Sequence, residues 1–208
     1  MSRCRQRVTL NDLVASPLGR AAMGLRYLLF RNGPMAVPTF AGAFLKSSPG
    51  QVTPDIQVAF WTYSWSQRNA RGVVLHRFPG FTANAALLRP RSRGSVRATS
   101  SDIRVAPSIR YGFLADERDT RDLVGGLKVL RRILAQPAMA PFFESELTPG
   151  AAHADDAALM EFVRANAGSV YHPAGTCRMG ADNDAGAVLT PELEVRGIAG
   201  LRVADASV

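Results

Sequence analysis

Hydrophobic positions recur at helical spacing in three stretches of the chain. After Ser16-Pro17, the residues Leu18, Ala21, Ala22, Leu25, Leu28 and Leu29 make one apolar stripe. A serine before a proline at the first helical position is a start signal, and Asn32-Gly33-Pro34 is a stop. A second helix opens at Asp119 or Thr120 and ends before Pro137. Leu123, Leu127, Leu130 and Leu134 share one of its faces, with Val124 and Ile133 beside them. Gly125 and Gly126 inside it cost about 1 kcal/mol each relative to alanine, a cost that fits a close approach by another backbone. The third helix runs from Asp155 to Ala167, with Leu159, Phe162 and Val163 inward, acids in its first turn and Gly168 closing it.

Between the first two helices the period changes to two. In Asp55 to Tyr63, Ile56, Val58 and Phe60 alternate with Gln57, Ala59 and Trp61, which predicts a strand. Val73 to Leu75 and Phe81 to Leu88 predict further strands around the Pro79-Gly80 turn, and Ser95 to Thr99 a short one after Gly94. Strands at such short spacing favour antiparallel pairing, because parallel neighbours need long crossovers. The expected fold class is therefore α+β, an antiparallel sheet with helices packed on one face. Residues 35 to 50 are expected as loop around a short apolar patch, Ala41 to Leu45. From Ser169 onward, glycines and few charges predict a loop-rich path to a last apolar strand, Leu201 to Ala204. No linker-like stretch or repeat interrupts the chain, which points to one compact unit.

Composition narrows the classes. Across 208 residues, 47% are hydrophobic and 20% charged, a soluble globular balance. No apolar run reaches the roughly 18 residues of a membrane span, and the expected location is cytoplasmic. Two cysteines, Cys4 and Cys177, exclude a disulfide framework. With only His76, His153 and His172 beside them, they leave too few ligands for a structural zinc site. The net charge is +8, and every basic residue but Lys46 and Lys128 is arginine. A basic nucleic-acid-binding domain is thus one alternative, although the arginines are spread along the chain and interleaved with acids. The cluster Arg89, Arg91, Arg93, Arg97 is best explained as a solvated turn before a strand. Arg3, Arg5, Arg7, Arg20, Arg26 and Arg31 against the lone acid Asp12 imitate a transit peptide; the other explanation is that these residues belong to the fold.

The informative segment is Tyr171-His172-Pro173-Ala174-Gly175-Thr176-Cys177-Arg178-Met179-Gly180. Proline after His172 holds that histidine out of the helical region, and Gly175 and Gly180 permit sharp turns. A histidine on such a loop is placed to project into a cleft and accept a proton from a hydroxyl. A Cys177–His172 nucleophile pair is also open from spacing.

This segment, with Val188-Leu189-Thr190-Pro191 and the ending Val195 to Val208 that contains Ala204-Asp205-Ala206-Ser207, resembles the C-terminal region of GMC oxidoreductases. These are the glucose–methanol–choline family of FAD-dependent alcohol dehydrogenases and oxidases. Val8-Thr9-Leu10-Asn11-Asp12, Gly42-Ala43-Phe44-Leu45 and Leu88 to Val96 extend the resemblance upstream, so nearly the whole chain is covered.

The resemblance implies residues 1–168 as substrate-binding domain and 169–208 as the start of the catalytic, FAD-contacting segment. It implies oxidation of a primary alcohol, a small-molecule substrate of the choline type, by hydride transfer to FAD. His172 then matches the active-site base, and Asp205 and Ala206 match a stretch contacting FAD near its ribityl and diphosphate part. His76 and His153 match no catalytic position, and Trp61, Tyr63 and Trp65 are candidates for either a substrate pocket or core. No G-x-G-x-x-G occurs in the chain, and Val208 precedes the family's second catalytic loop. The expectation is a domain cut at both ends, the Rossmann part largely absent. It is expected to be colourless and inactive alone, with exposed apolar surface and a missing FAD-domain fragment as partner. A noncatalytic remnant or interaction module of the same fold is the remaining alternative.

Overall fold

The computed structural model describes residues 1–37, 39–69 and 72–208. The chain forms two compact units: Met1–Arg91 with Asp116–Ala167, and Ser92–Ala115 with Gly168–Val208. The absence of a linker did not make it one unit, because each unit is assembled from two separate stretches of chain.

The first unit is built on a five-stranded antiparallel sheet. Its strands are β1 (Ser2–Cys4), β2 (Thr39–Leu45), β3 (Ile56–Trp61), β6 (Gly80–Leu87) and β9 (Phe143–Glu146). Their spatial order is β2-β3-β6-β1-β9. Ile56 faces Leu87 and Val58 faces Ala85 across β3 and β6, so the apolar alternants of both strands share one side. Helix α3 (Glu117–Leu134) lies on that side. Leu130 packs with Ile56 and Val58, and Leu134 with Cys4 and Phe81. The two glycines of α3 allow this fit. A Cβ on Gly125 would sit 2.6 Å from the Ser47 carbonyl oxygen, and one on Gly126 3.0 Å from the Ala85 methyl. The buried stripe is rotated from the expected one. Val124, Val129, Leu130 and Leu134 are buried, Leu123 and Leu127 half-buried and Ile133 exposed. Helix α4 (Asp156–Asn166) packs on α3 through buried Leu159 and Val163.

The antiparallel pairing predicted between Asp55 and Thr99 is present, but the strands divide among three sheets. β4 (Trp65–Asn69) and β5 (Gly72–Leu75) form a separate ribbon. In the second unit, β7 (Ser95–Arg97) pairs with β8 (Ser108–Arg110). Two expectations need correction. Within residues 35 to 50, Thr39–Leu45 is a strand rather than loop, because its backbone completes the edge of β3. Leu201 to Ala204 is not a strand: only Arg202 makes an isolated bridge, to Glu194.

The arginine-rich opening residues are part of this architecture. β1 sits between β6 and β9, with Cys4 buried. Helix α1 (Leu10–Ala15) is anchored by Asn11, whose carboxamide donates to the Ser64 and His76 carbonyls and accepts from the Ser64 N–H, each at 2.9 Å. Helix α2 (Pro17–Phe30) starts as predicted, with the Gly19 N–H donating to Ser16 Oγ. Its apolar stripe is uncovered, however: Leu18, Leu25, Leu28, Leu29 and Phe30 are exposed. Among the described residues, no helix is long and apolar enough to cross a membrane.

Candidate functional site

The three histidines separate by environment. His76 Nδ1 lies 3.0 Å from Ser64 Oγ and its ring stacks on Phe78 at 4.5 Å. Burial lowers its pKa from the usual histidine value, with a nearby positive amino terminus adding to the effect. His153 Nδ1 lies 2.8 Å from the Pro149 carbonyl oxygen, with the ring edge-on to Phe162. Both rings are thus occupied in holding the first unit together. His172 is exposed, and among the described residues its ring has neither a hydrogen-bond partner nor an aromatic neighbour. An imidazole left open in this way is available to a substrate.

The backbone around His172 is unusual. Tyr171 has φ 63°, in the left-handed region that a bulky residue rarely adopts and that costs roughly 1–3 kcal/mol. The Tyr171 N–H donates to Ser169 Oγ at 2.8 Å, and Gly175 (φ 81°) turns the chain again. The segment is then tied down. The Cys177 N–H donates to the Ser207 carbonyl at 2.7 Å, and the Gly180 N–H to the Leu189 carbonyl at 3.2 Å. Cys177 is half-buried with its N–H engaged, and among the described residues its thiol has no hydrogen-bond partner.

That link to Ser207 joins the histidine loop, at Cys177, to the turn that holds Asp205 and Ala206. Ser207 ends the turn that begins at Asp205, so the histidine loop and the Asp205-Ala206 turn are adjacent. Asp205 Oδ1 accepts from the Ser207 N–H at 2.8 Å and from Ser207 Oγ at 2.5 Å. These two bonds hold its carboxyl below the usual carboxylate range. Asp205 and Ala206 are exposed, and the Ala206 N–H has no partner among the described residues. The turn therefore offers a carboxylate oxygen as acceptor and a backbone N–H as donor.

Trp61, Tyr63 and Trp65 form a half-buried cluster in the first unit, with ring centroids 5.9 to 6.2 Å apart. The arginine cluster mostly serves the fold: the Arg89 guanidinium donates to Thr53 Oγ1 at 2.5 Å, and the Arg91 N–H to buried Asp119 at 2.8 Å. No three-residue group of His, Cys, Asp and Glu among the described residues is arranged to hold a metal. What sequence reasoning missed is the support under the histidine loop. Arg178 donates to both carboxylate oxygens of Asp184, at 2.5 and 2.8 Å, and Arg196 to Asp182 and the Gly180 carbonyl. The only signal for it was an arginine followed by the acid-rich turn Asp182-Asn183-Asp184-Ala185-Gly186.

Residues 90–208 match the family model described as GMC oxidoreductase. The chain belongs to the GMC oxidoreductase family. An oxygen-dependent choline dehydrogenase of Photobacterium profundum is 36% identical over 206 residues, covering 99% of this chain and 36% of the relative. This GMC chain thus spans about a third of the length of the curated relatives it matches. Pyridoxine 4-oxidase from Mesorbium loti superposes on 80% of the chain, and the chain on 32% of it, with a TM-score of 0.69 at 26% identity. Formate oxidase of Aspergillus oryzae RIB40 matches all of the chain and 40% of its own, with a TM-score of 0.80 at 22% identity, a likeness of fold.

Proposed function

We propose that this chain is the substrate-domain and catalytic-loop portion of an FAD-dependent oxidoreductase that oxidises a primary alcohol, with His172 as the proton acceptor. The observation that carries the reading is the contrast among the histidines: His76 and His153 are engaged in the fold, and His172 is exposed on a strained, anchored loop. The bond from Cys177, on the same loop, to Ser207 of the Asp205 turn supports the same reading.

The residues present fit part of the cofactor. The carboxylate of Asp205 suits the ribityl hydroxyls, which are donors, and the unpartnered N–H of Ala206 suits an anionic oxygen. When bound, FAD supplies the acceptor for the hydride of the carbinol carbon. The work of this chain is proton handling. A ring nitrogen of His172 takes the hydroxyl proton, so that the O–H electron pair can close the carbonyl. The bonds at residues 177 to 180 limit where that nitrogen can go. Choline is the first substrate to try, because the curated relatives are named for it.

The test uses this chain joined to the flavin-binding portion of a choline dehydrogenase relative. His172→Ala is expected to slow flavin reduction by the alcohol ~10²- to 10⁴-fold while FAD is retained. His76→Ala and His153→Ala serve as controls and should leave the rate of reduction largely unchanged. Rapid-mixing measurement of flavin bleaching decides: reduction at the parental rate in His172→Ala overturns the reading.

A further inference from the structure

We propose that the Arg178–Asp184 ion pair is a clip that positions His172, making Asp184 a positioning residue of the site; the inference rests on the role proposed for His172. The two side chains meet fork to fork, at 2.5 and 2.8 Å, and the Gly186 N–H adds a third bond to Asp184 at 2.9 Å. Exposed ion pairs are generally weak, but bidentate geometry with a further donor is the exception.

Two glycines are shaped around the pair. A Cβ on Gly186 would collide with an Arg178 guanidinium nitrogen. One on Gly180 would lie 2.9 Å from an Asp184 carboxylate oxygen and 2.8 Å from the Ala187 methyl. Both glycines therefore leave room that the clip occupies. The Arg178 carbonyl meanwhile accepts from the Val188 and Leu189 N–H groups, at 3.0 and 3.2 Å, and Leu189 is fully buried. Side chain and backbone of one residue thus fasten the segment to the 184–189 turn.

The consequence for His172 follows from the order of anchors along the chain. Among the described residues, 172 to 176 make no hydrogen bond of their own to the rest of the unit, so the loop is held at its start by Ser169 and at its end from Cys177 onward. Releasing the end at Arg178 lets the Cys177–Ser207 bond open and leaves the imidazole less confined. A misplacement of about 1 Å can cost a positioned group ~10²-fold, so such loosening would act on rate rather than on cofactor retention.

The experiment uses the whole 208-residue chain with isotope-labelled histidine rings. In Asp184→Asn the His172 ring signal should shift and broaden, and the Cys177 and Leu189 amides should exchange about tenfold faster. The His76 and His153 signals, which report on the first unit, should stay in place. Asp184→Glu should return the His172 signal toward its original position, and Gly186→Ala, which crowds the guanidinium, should reproduce the Asp184→Asn spectrum. Joined to a flavin-binding portion, Asp184→Asn should reduce flavin about tenfold more slowly with FAD retained. An unmoved His172 signal, or all three histidines moving together, overturns the clip. Because the ring signals need no flavin, a parental reduction rate in His172→Ala would sink the role of the histidine and leave the clip standing.

Discussion

The two units are stabilised by different physics. In the first, α3 lies on a five-stranded sheet and buries Ile56, Val58, Phe81, Leu130 and Leu134 between them. In the second, Ala187 and Leu189 are the buried hydrophobics among the described residues. Its shape comes instead from glycine turns, backbone bonds such as Cys177–Ser207, and the pairs Arg178–Asp184, Arg196–Asp182 and Arg202–Glu194. Apolar burial is non-directional and forgiving of charge state. A network of directed polar bonds fixes individual atoms but depends on each partner keeping its charge. The residues proposed for chemistry, His172, Asp205 and Ala206, all lie in the second kind of structure, and most of the buried apolar side chains lie in the first.

Three tests probe this contrast, beginning with the largest effect. Ile56→Ala removes a fully buried side chain from the sheet–helix core and is expected to destabilise the first unit by about 2–5 kcal/mol. Leu189→Ala, equally buried, should cost less, because few other buried side chains surround it, and its effect should appear in the exchange of amides 177 to 189 rather than in the main melt. Equal losses in the same transition would break the comparison.

The second test is acid. The Arg178 guanidinium and the Gly186 N–H hold the Asp184 carboxyl down at about 2. A depressed carboxyl contributes stability that is present above its unfolded value of 3.8 and lost as pH falls through the folded value. The order of the 177–189 segment should therefore weaken progressively as pH falls below 3.8 and be lost near pH 2. Asp122 in α3 has the opposite sign: burial, and then the like charges of Asp55 and Asp119, raise its pKa. Protonating it should make the first unit slightly more stable as pH falls toward 3.8, where the folded chain binds more protons than the unfolded one. Amide exchange followed against pH, unit by unit, checks both signs.

The smallest expected effect is at α2. Its stripe is exposed along Leu18, Leu25, Leu28, Leu29 and Phe30. Leu25→Glu with Leu29→Glu should change the melt of the first unit by no more than about 0.5 kcal/mol while reducing dye binding and self-association. A loss of several kcal/mol would mean that the stripe is buried in solution.

Periodicity located α2, α3 and α4 and the strands β3 and β6, because each has an apolar face whose spacing matches its backbone period, and the short spacing between strands implied their antiparallel pairing. The glycine pair of α3 announced a close approach before Ser47 and Ala85 were seen to make it. The histidine motif and the Ala204 to Ser207 ending were legible as one family's pattern. What the sequence could not specify was anything that depends on a distant partner. β1 is three residues long and looks like an arginine-rich leader until β6 and β9 flank it. β2 is a strand because β3 offers it an edge, whereas Leu201 to Ala204 meets only the short segment Leu193 to Val195 and pairs with it through a single bridge. The stripe of α2 is as apolar as that of α4, yet only α4 finds a surface to cover it. The pairing of Arg178 with Asp184 was equally hidden, since a charge in a loop carries no period, and only the folded path brings the two forks face to face.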